Sequence, residues 1–183
     1  MSSEEATGSR QQQATEDCLH VVPLRLPAAG YLLPASKPRL QARAEIVAVA
    51  RGWIGTPYHH QASTRGVGAD CLGLVRGVWR ELYGCEAEMP PAYTRDWAEA
   101  VGEETLLAAA ARHLVPLDPS RAEAGDVVVF RLRSGLVAKH AAILTSRDAF
   151  VHAMEGCPAC EVALTGWWRR RIAGAFSFPG VAG

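Results

Sequence analysis

An α+β fold, with N-terminal helices packed on one face of an antiparallel sheet, is predicted by three features of this 183-residue sequence. Apolar residues recur at helical spacing through the first part of the chain, the period changes to that of strands from Gly125 onward, and no alternating strand–helix–strand pattern appears. The size suits one domain, since about 150 residues can bury roughly 70% of their surface without covalent staples.

Residues 2–17 are rich in Ser, Glu, Gln and Thr, and with few large apolar side chains they cannot offset the entropy of ordering. Residues 18–38 mix Val21, Val22, Leu24, Leu26, Tyr31, Leu32 and Leu33 with Pro23, Pro27, Pro34 and Pro38, the pattern of an extended arm that packs without forming a long helix. The division expected is therefore an N-terminal arm over 1–40 and a folded domain over 41–180. From Gln41 to about Trp53, Ala44, Val47, Ala48 and Ile54 mark a first helix that Gly55-Thr56-Pro57 breaks. Leu72 to Tyr83 forms the second, with Gly84 placed to cap it in the left-handed region. Trp97 to His113 reads as a third, with Ala98, Val101, Leu106, Leu107, Ala110 and Leu114 inward. The strands follow as Val127–Phe130, His140–Leu144, Phe150–His152 and Ala173–Phe178, each bounded by turn residues.

Nineteen basic and nineteen acidic residues cancel, so the chain has no field that favours nucleic acid or an anionic membrane. No apolar run approaches the 18 or so residues of a spanning helix, and Met1–Asp17 lacks the basic and apolar regions of a cleaved signal. Five cysteines are too few for a disulfide scaffold at this length, and synthesis in a reducing cytoplasm is expected.

The chemistry centres on Asp70-Cys71-Leu72-Gly73-Leu74-Val75, where a Gly-rich loop gives way to the second helix. A cysteine opening a helix faces free N–H groups and the positive dipole end, which lower a thiol pKa from about 8.5 into the range of roughly 3.5 to 7.5. A base is available in His140, at a strand end, and His152, twelve residues on, comes near it if the two strands pair antiparallel. A thiol nucleophile, a base and a group that fixes the base's tautomer make the set that acyl transfer requires.

These segments resemble the NlpC type of bacterial cell-wall cysteine peptidases. The resemblance rests on Gly55-Thr56-Pro57-Tyr58, Asp70 to Val75, Gly125 to Phe130, Lys139 to Leu144 and Val151-His152-Ala153, in that order, and covers about residues 41–180. It implies a papain-like fold with no cofactor, Cys71 as nucleophile, His140 as base and then acid, and His152 as the orienting group. The Cys71 N–H then joins an oxyanion hole, worth about 3 kcal/mol per donor in comparable enzymes. Tyr58 and Asp70 match positions lining the substrate cleft, where the acid pairs with a stem-peptide amine; in the alternative Tyr58 caps the core and Asp70 is only the helix N-cap. The run Tyr58-His59-His60-Gln61-Ala62-Ser63 and the ending Trp167 to Phe176 look like the branch encoded among tail genes of phages and gene transfer agents. That likeness implies peptidoglycan stem peptides as substrate, a tail hub or baseplate protein as partner, and action in the periplasm of a recipient cell. The bond is then γ-D-glutamyl to diamino acid, or N-acetylmuramoyl to L-alanine. Leu72 departs from the pattern, since many relatives have Ser after the nucleophile. A structural tail component without turnover is the rival reading.

Cys157-Pro158-Ala159-Cys160 leaves three readings open: a zinc set with the two histidines, a reversible disulfide, or loop thiols. His113 reads as a helix-end cation, Arg169-Arg170-Arg171 as a solvated face, and the Trp167-Trp168 pair as cover for a sheet edge.

Overall fold

The computed structural model describes residues 42–94 and 102–181. The N-terminal arm and the predicted start of the third helix, Trp97 to Val101, lie outside them. Helix α1 spans Arg43–Arg51, α2 Cys71–Tyr83, α3 Thr105–His113 and the single turn α4 Gly166–Arg169. Strands β1 (Ser63–Thr64) and β2 (Gly68–Ala69) form a small hairpin. The main sheet contains β3 (Val115–Leu117), β4 (Val127–Phe130), β5 (His140–Ser146), β6 (Ala149–Met154), β7 (Cys157–Ala163) and β8 (Ile172–Ser177). Its order is β3-β8-β4-β5-β6-β7, antiparallel at every pairing.

The alternation of side chains along β4, β5 and β6 splits the core into two layers. Ile46, Ala50, Leu74, Val78 and Leu106 from α1 to α3 pack on the face carrying Val127, Val129, Ala141, Ile143 and Val151. The opposite face carries Val128, Phe130, Ala142, Leu144 and Phe150, and Trp168 of α4 packs there. The helices are thus on one face, as predicted, apart from this one-turn helix on the other. By the same alternation His140 shares its face with Ala142, and His152 with Phe150, so both imidazoles belong to the second layer.

Helix α2 is the central element. Asp70 caps its start, its carboxylate Oδ1 accepting from the Gly73 N–H at 2.7 Å, and Gly84 ends it at φ 78°. Two glycines within it mark close approaches. A Cβ at Gly77 would lie 2.0 Å from Trp53 Cζ2, and one at Gly73 would lie 1.8 Å from the Ala62 carbonyl oxygen. The helix start is therefore clamped to the loop preceding β1.

Two readings are corrected. The Cys157–Cys160 segment is a strand rather than a loop; β7 is the last strand in the sheet order, and Pro158 falls where its pairing with β6 shifts register between His152 and Met154, a bulge that tolerates proline. Its free side is met by the segment after α1, Gly55 N–H donating to Ala159 C=O and Ala159 N–H to Thr56 C=O, both at 2.8 Å. The Trp pair does not cover a sheet edge: Trp168 lies on the sheet face, and half-exposed Trp167 carries the Arg171 guanidinium 3.7 Å above its ring. Among the described residues Cys71, Cys157 and Cys160 are free thiols.

Candidate active site

The N-terminus of α2 meets the N-terminus of β5. The Cys71 thiol points at the Lys139 carbonyl, with Sγ···O 3.9 Å, and this brings it to the residue preceding His140. β5 and β6 pair with Ile143 opposite Val151 and Leu144 opposite Phe150. That register sets His152 one diagonal step from His140, within side-chain reach. His140 Nε2 and His152 Nδ1 are 2.9 Å apart, and the two residues are 5% and 4% exposed. The histidine spacing thus closes into a direct ring-to-ring hydrogen bond. With Nε2 committed to His152, the nitrogen left to accept a thiol proton is Nδ1. The tautomer that serves this has the proton on Nε2, donated to His152.

The electrostatics differ from the sequence expectation of a lowered thiol pKa. Burial, with the Asp70 carboxylate adding to it, pushes Cys71 up to about 11, while the backbone N–H groups of Ala141, Leu72 and Cys71 itself pull less strongly the other way. Burial and then the His152 neighbour push His140 down to about 3, and burial lowers His152 as well. These directions leave Cys71 a neutral thiol and His140 a neutral imidazole at rest. A proton moved from this thiol to this imidazole would leave opposite charges that stabilise each other, so the two groups would change state together. The N–H groups that oppose the rise of the thiol also face the sulfur where charge develops.

Stability should report the buried neutral His140. Its folded pKa lies below its unfolded value near 6.5, so the unfolded chain binds the extra proton first and stability falls as pH drops from 6.5 toward about 3. Urea midpoints measured between pH 7.5 and 5 should therefore fall more steeply for the wild type than for His140→Gln.

Asp70 is 3% exposed and accepts three hydrogen bonds. Oδ1 takes the Gly73 N–H, and Oδ2 takes the Gln61 N–H at 2.7 Å and the Tyr93 hydroxyl at 2.6 Å, with His60 Nδ1 3.6 Å away. The capping role is therefore present, and a substrate amine reaching this carboxylate has to displace Tyr93. Tyr58 packs partly buried against the helical core layer and forms an isolated bridge with Ala69, the residue before the capping Asp70. Tyr93 was not legible in the sequence. It lies beyond α2, and only folding sets its ring edge-on to His60 and its carbonyl under the His60 Nε2, at 2.8 Å.

The remaining signals are separate from the site. His113 binds Glu88 through Nε2 at 2.6 Å, Arg169 binds Asp148 at 2.6 Å, and Arg171 donates to the Leu132 carbonyl at 3.1 Å, so two of the three arginines are tied to the fold. Cys160 is the strand partner of His152, yet among the described residues no group of three or more His, Cys, Asp or Glu side chains is arranged to hold a metal ion. No described helix is long and apolar enough to cross a membrane.

A profile of the NlpC/P60 family matches residues 55–176. The chain belongs to the NlpC/P60 family. Cys71, His140, His152, Tyr58 and Asp70 all fall within the matched span. A curated relative, Gamma-DL-glutamyl hydrolase of Bacillus subtilis (strain 168), is 28% identical over 134 residues; these cover 73% of this chain and 29% of that protein, so the chain spans under a third of its relative's length. Among solved structures, the NlpC/p60 domain of peptidoglycan hydrolase SagA superposes with TM-score 0.52 at 24% identity, covering 74% of this chain and 98% of that one. An NlpC/P60 family protein from Bacillus cereus ATCC 10987 gives TM-score 0.55 at 17% identity, covering 76% and 41%. These likenesses show the fold, the papain-like α+β architecture in which an antiparallel sheet follows the helices.

Proposed function

We propose that this chain is a cysteine peptidase that hydrolyses peptidoglycan stem peptides at the bond between γ-D-glutamate and the diamino acid. The observation that carries the proposal is the Cys71 thiol set against the Lys139 carbonyl, one residue before the hydrogen-bonded His140–His152 pair, within a span that the family profile matches. The named activity of the Bacillus subtilis relative supports the choice of bond. Cys71 attacks the scissile carbonyl as His140 takes its proton, giving a tetrahedral oxyanion. Its collapse, with His140 returning the proton to the leaving amine, leaves a thioester that water hydrolyses. The acceptor for the substrate amine is Asp70, and Tyr58 forms the adjacent cleft wall.

The likeness of residues 58–63 and 167–176 to the tail-gene branch supports the further proposal that the enzyme is carried by a phage-like tail and opens the wall of a recipient cell from the periplasm. Incubation of purified protein with peptidoglycan, followed by mass spectrometry, tests the reaction. New free amino termini on the diamino acid, absent with Cys71→Ala, are expected. Release of intact stem peptides would make it an amidase, and no release in reducing buffer would favour the structural tail component.

A further inference from the structure

We propose that Trp168 is a positioning residue for the reacting pair, holding His140 and His152 in one orientation and stabilising the imidazolium that forms when Cys71 gives up its proton. The inference rests on the reading of Cys71, His140 and His152 as the reacting set. The Trp168 ring centroid lies 5.8 Å from that of His140, tilted by 32°, and 5.6 Å from that of His152, edge-on at 87°. One flat side chain thus contacts both imidazoles, presenting a different geometry to each.

The ring is itself held. Phe130 and Phe150 meet it edge-on at 4.9 and 5.1 Å, and Trp167 does so at 4.9 Å from the same helical turn. Arg171 fastens that turn: its guanidinium covers Trp167, its Nη1 donates to the Trp167 carbonyl at 3.0 Å and its Nε to the Leu132 carbonyl at 3.1 Å. Leu132 lies just beyond β4, on the connection that ends in His140. Helix α4 and the approach to His140 are therefore braced together.

Two physical effects follow from the geometry. A neutral imidazole has two tautomers, and an aromatic plate that blocks ring rotation, together with the 2.9 Å bond to His152, keeps the basic nitrogen available to Cys71. The face of an indole also attracts a cation, so it favours His140 after the proton has moved more than before. An apolar side chain of similar bulk can block rotation but offers no ring face to a cation, which separates this role from filling space in the core.

The test compares Trp168→Phe, which keeps a flat ring, with Trp168→Leu, which keeps an apolar side chain without one. The first readout is the rate at which iodoacetamide alkylates Cys71 in the full chain without peptidoglycan, with thermal unfolding as the control for folding. Loss of the ring face that favours the imidazolium predicts alkylation slowed about tenfold in Trp168→Leu and within about threefold of wild type in Trp168→Phe. The second readout is long-range proton–nitrogen NMR of the histidines: His140 is expected to show a single Nε2–H tautomer in the wild type and Trp168→Phe, and averaged signals in Trp168→Leu. Equal rates and unchanged tautomer signals in a folded Trp168→Leu would overturn the inference alone. A wild-type alkylation rate that His140→Gln leaves unchanged would overturn the reading beneath it and the inference with it.

Discussion

Cys71→Ser and His140→Gln are each expected to lower the rate of stem-peptide hydrolysis by about four orders of magnitude, and the double variant is expected to be no slower than either single one. The reasoning follows from the neutral resting state. With the thiol pushed up to about 11 and the imidazole down to about 3, neither group is ready alone, and reaction depends on a proton moving between them. Serine in place of Cys71 asks the same base to accept a proton from a far weaker acid. Without His140 the proton acceptor of the proposed reaction is gone. Once one member is gone, removing the other takes away nothing further, so the losses do not add. Single-turnover rates on a soluble stem peptide check this, and losses that multiply would mean that the two residues act independently.

Gly73→Ala is expected to destabilise the protein by about 3 kcal/mol or more, although alanine normally stabilises a helix position by about 1 kcal/mol over glycine. The new Cβ would lie 1.8 Å from the Ala62 carbonyl oxygen and 2.9 Å from its carbon, and both are backbone atoms. That carbonyl cannot turn away freely, because it accepts the Asp70 N–H at 3.2 Å. Displacing it also moves Gln61, whose N–H holds Asp70 Oδ2. The clash therefore outweighs the propensity gain and reaches the residue before Cys71. Urea unfolding measures the loss. A midpoint shifted upward would show that the loop before β1 yields easily and that Asp70 and Cys71 are held by something else.

Much of the fold could be read from local pattern because its signals are local. β-Branched runs bounded by turn residues marked β4, β5, β6 and β8, and helical spacing with a left-handed glycine marked α2 and its end. The strand β7 escaped because Cys-Pro-Ala-Cys is poor strand sequence, and it is the register shift against β6 that accommodates Pro158. The site was legible as types and order. An aspartate and a cysteine at a loop-to-helix junction, and two histidines on consecutive strands, are one-dimensional features. The direction of the Cys71 shift was not, because burial and the Asp70 charge act through tertiary packing and outweigh the helix terminus that the sequence displays. The place of Tyr93 at Asp70 and of Trp168 against the two histidines was hidden for the same reason. Tyr93 reaches Asp70 from 23 residues along the chain, and Trp168 touches His140 from 28 along.

The most direct test of the central claim, that Cys71 is the nucleophile served by His140, is to mix the protein with a soluble stem peptide, quench in acid within the first turnover and map the covalent adduct by mass spectrometry. The account predicts an acyl group attached as a thioester to Cys71, absent when His140 is replaced by Gln. Hydrolysis proceeding with Cys71 unmodified, or with the acyl group on Cys157 or Cys160, would contradict it.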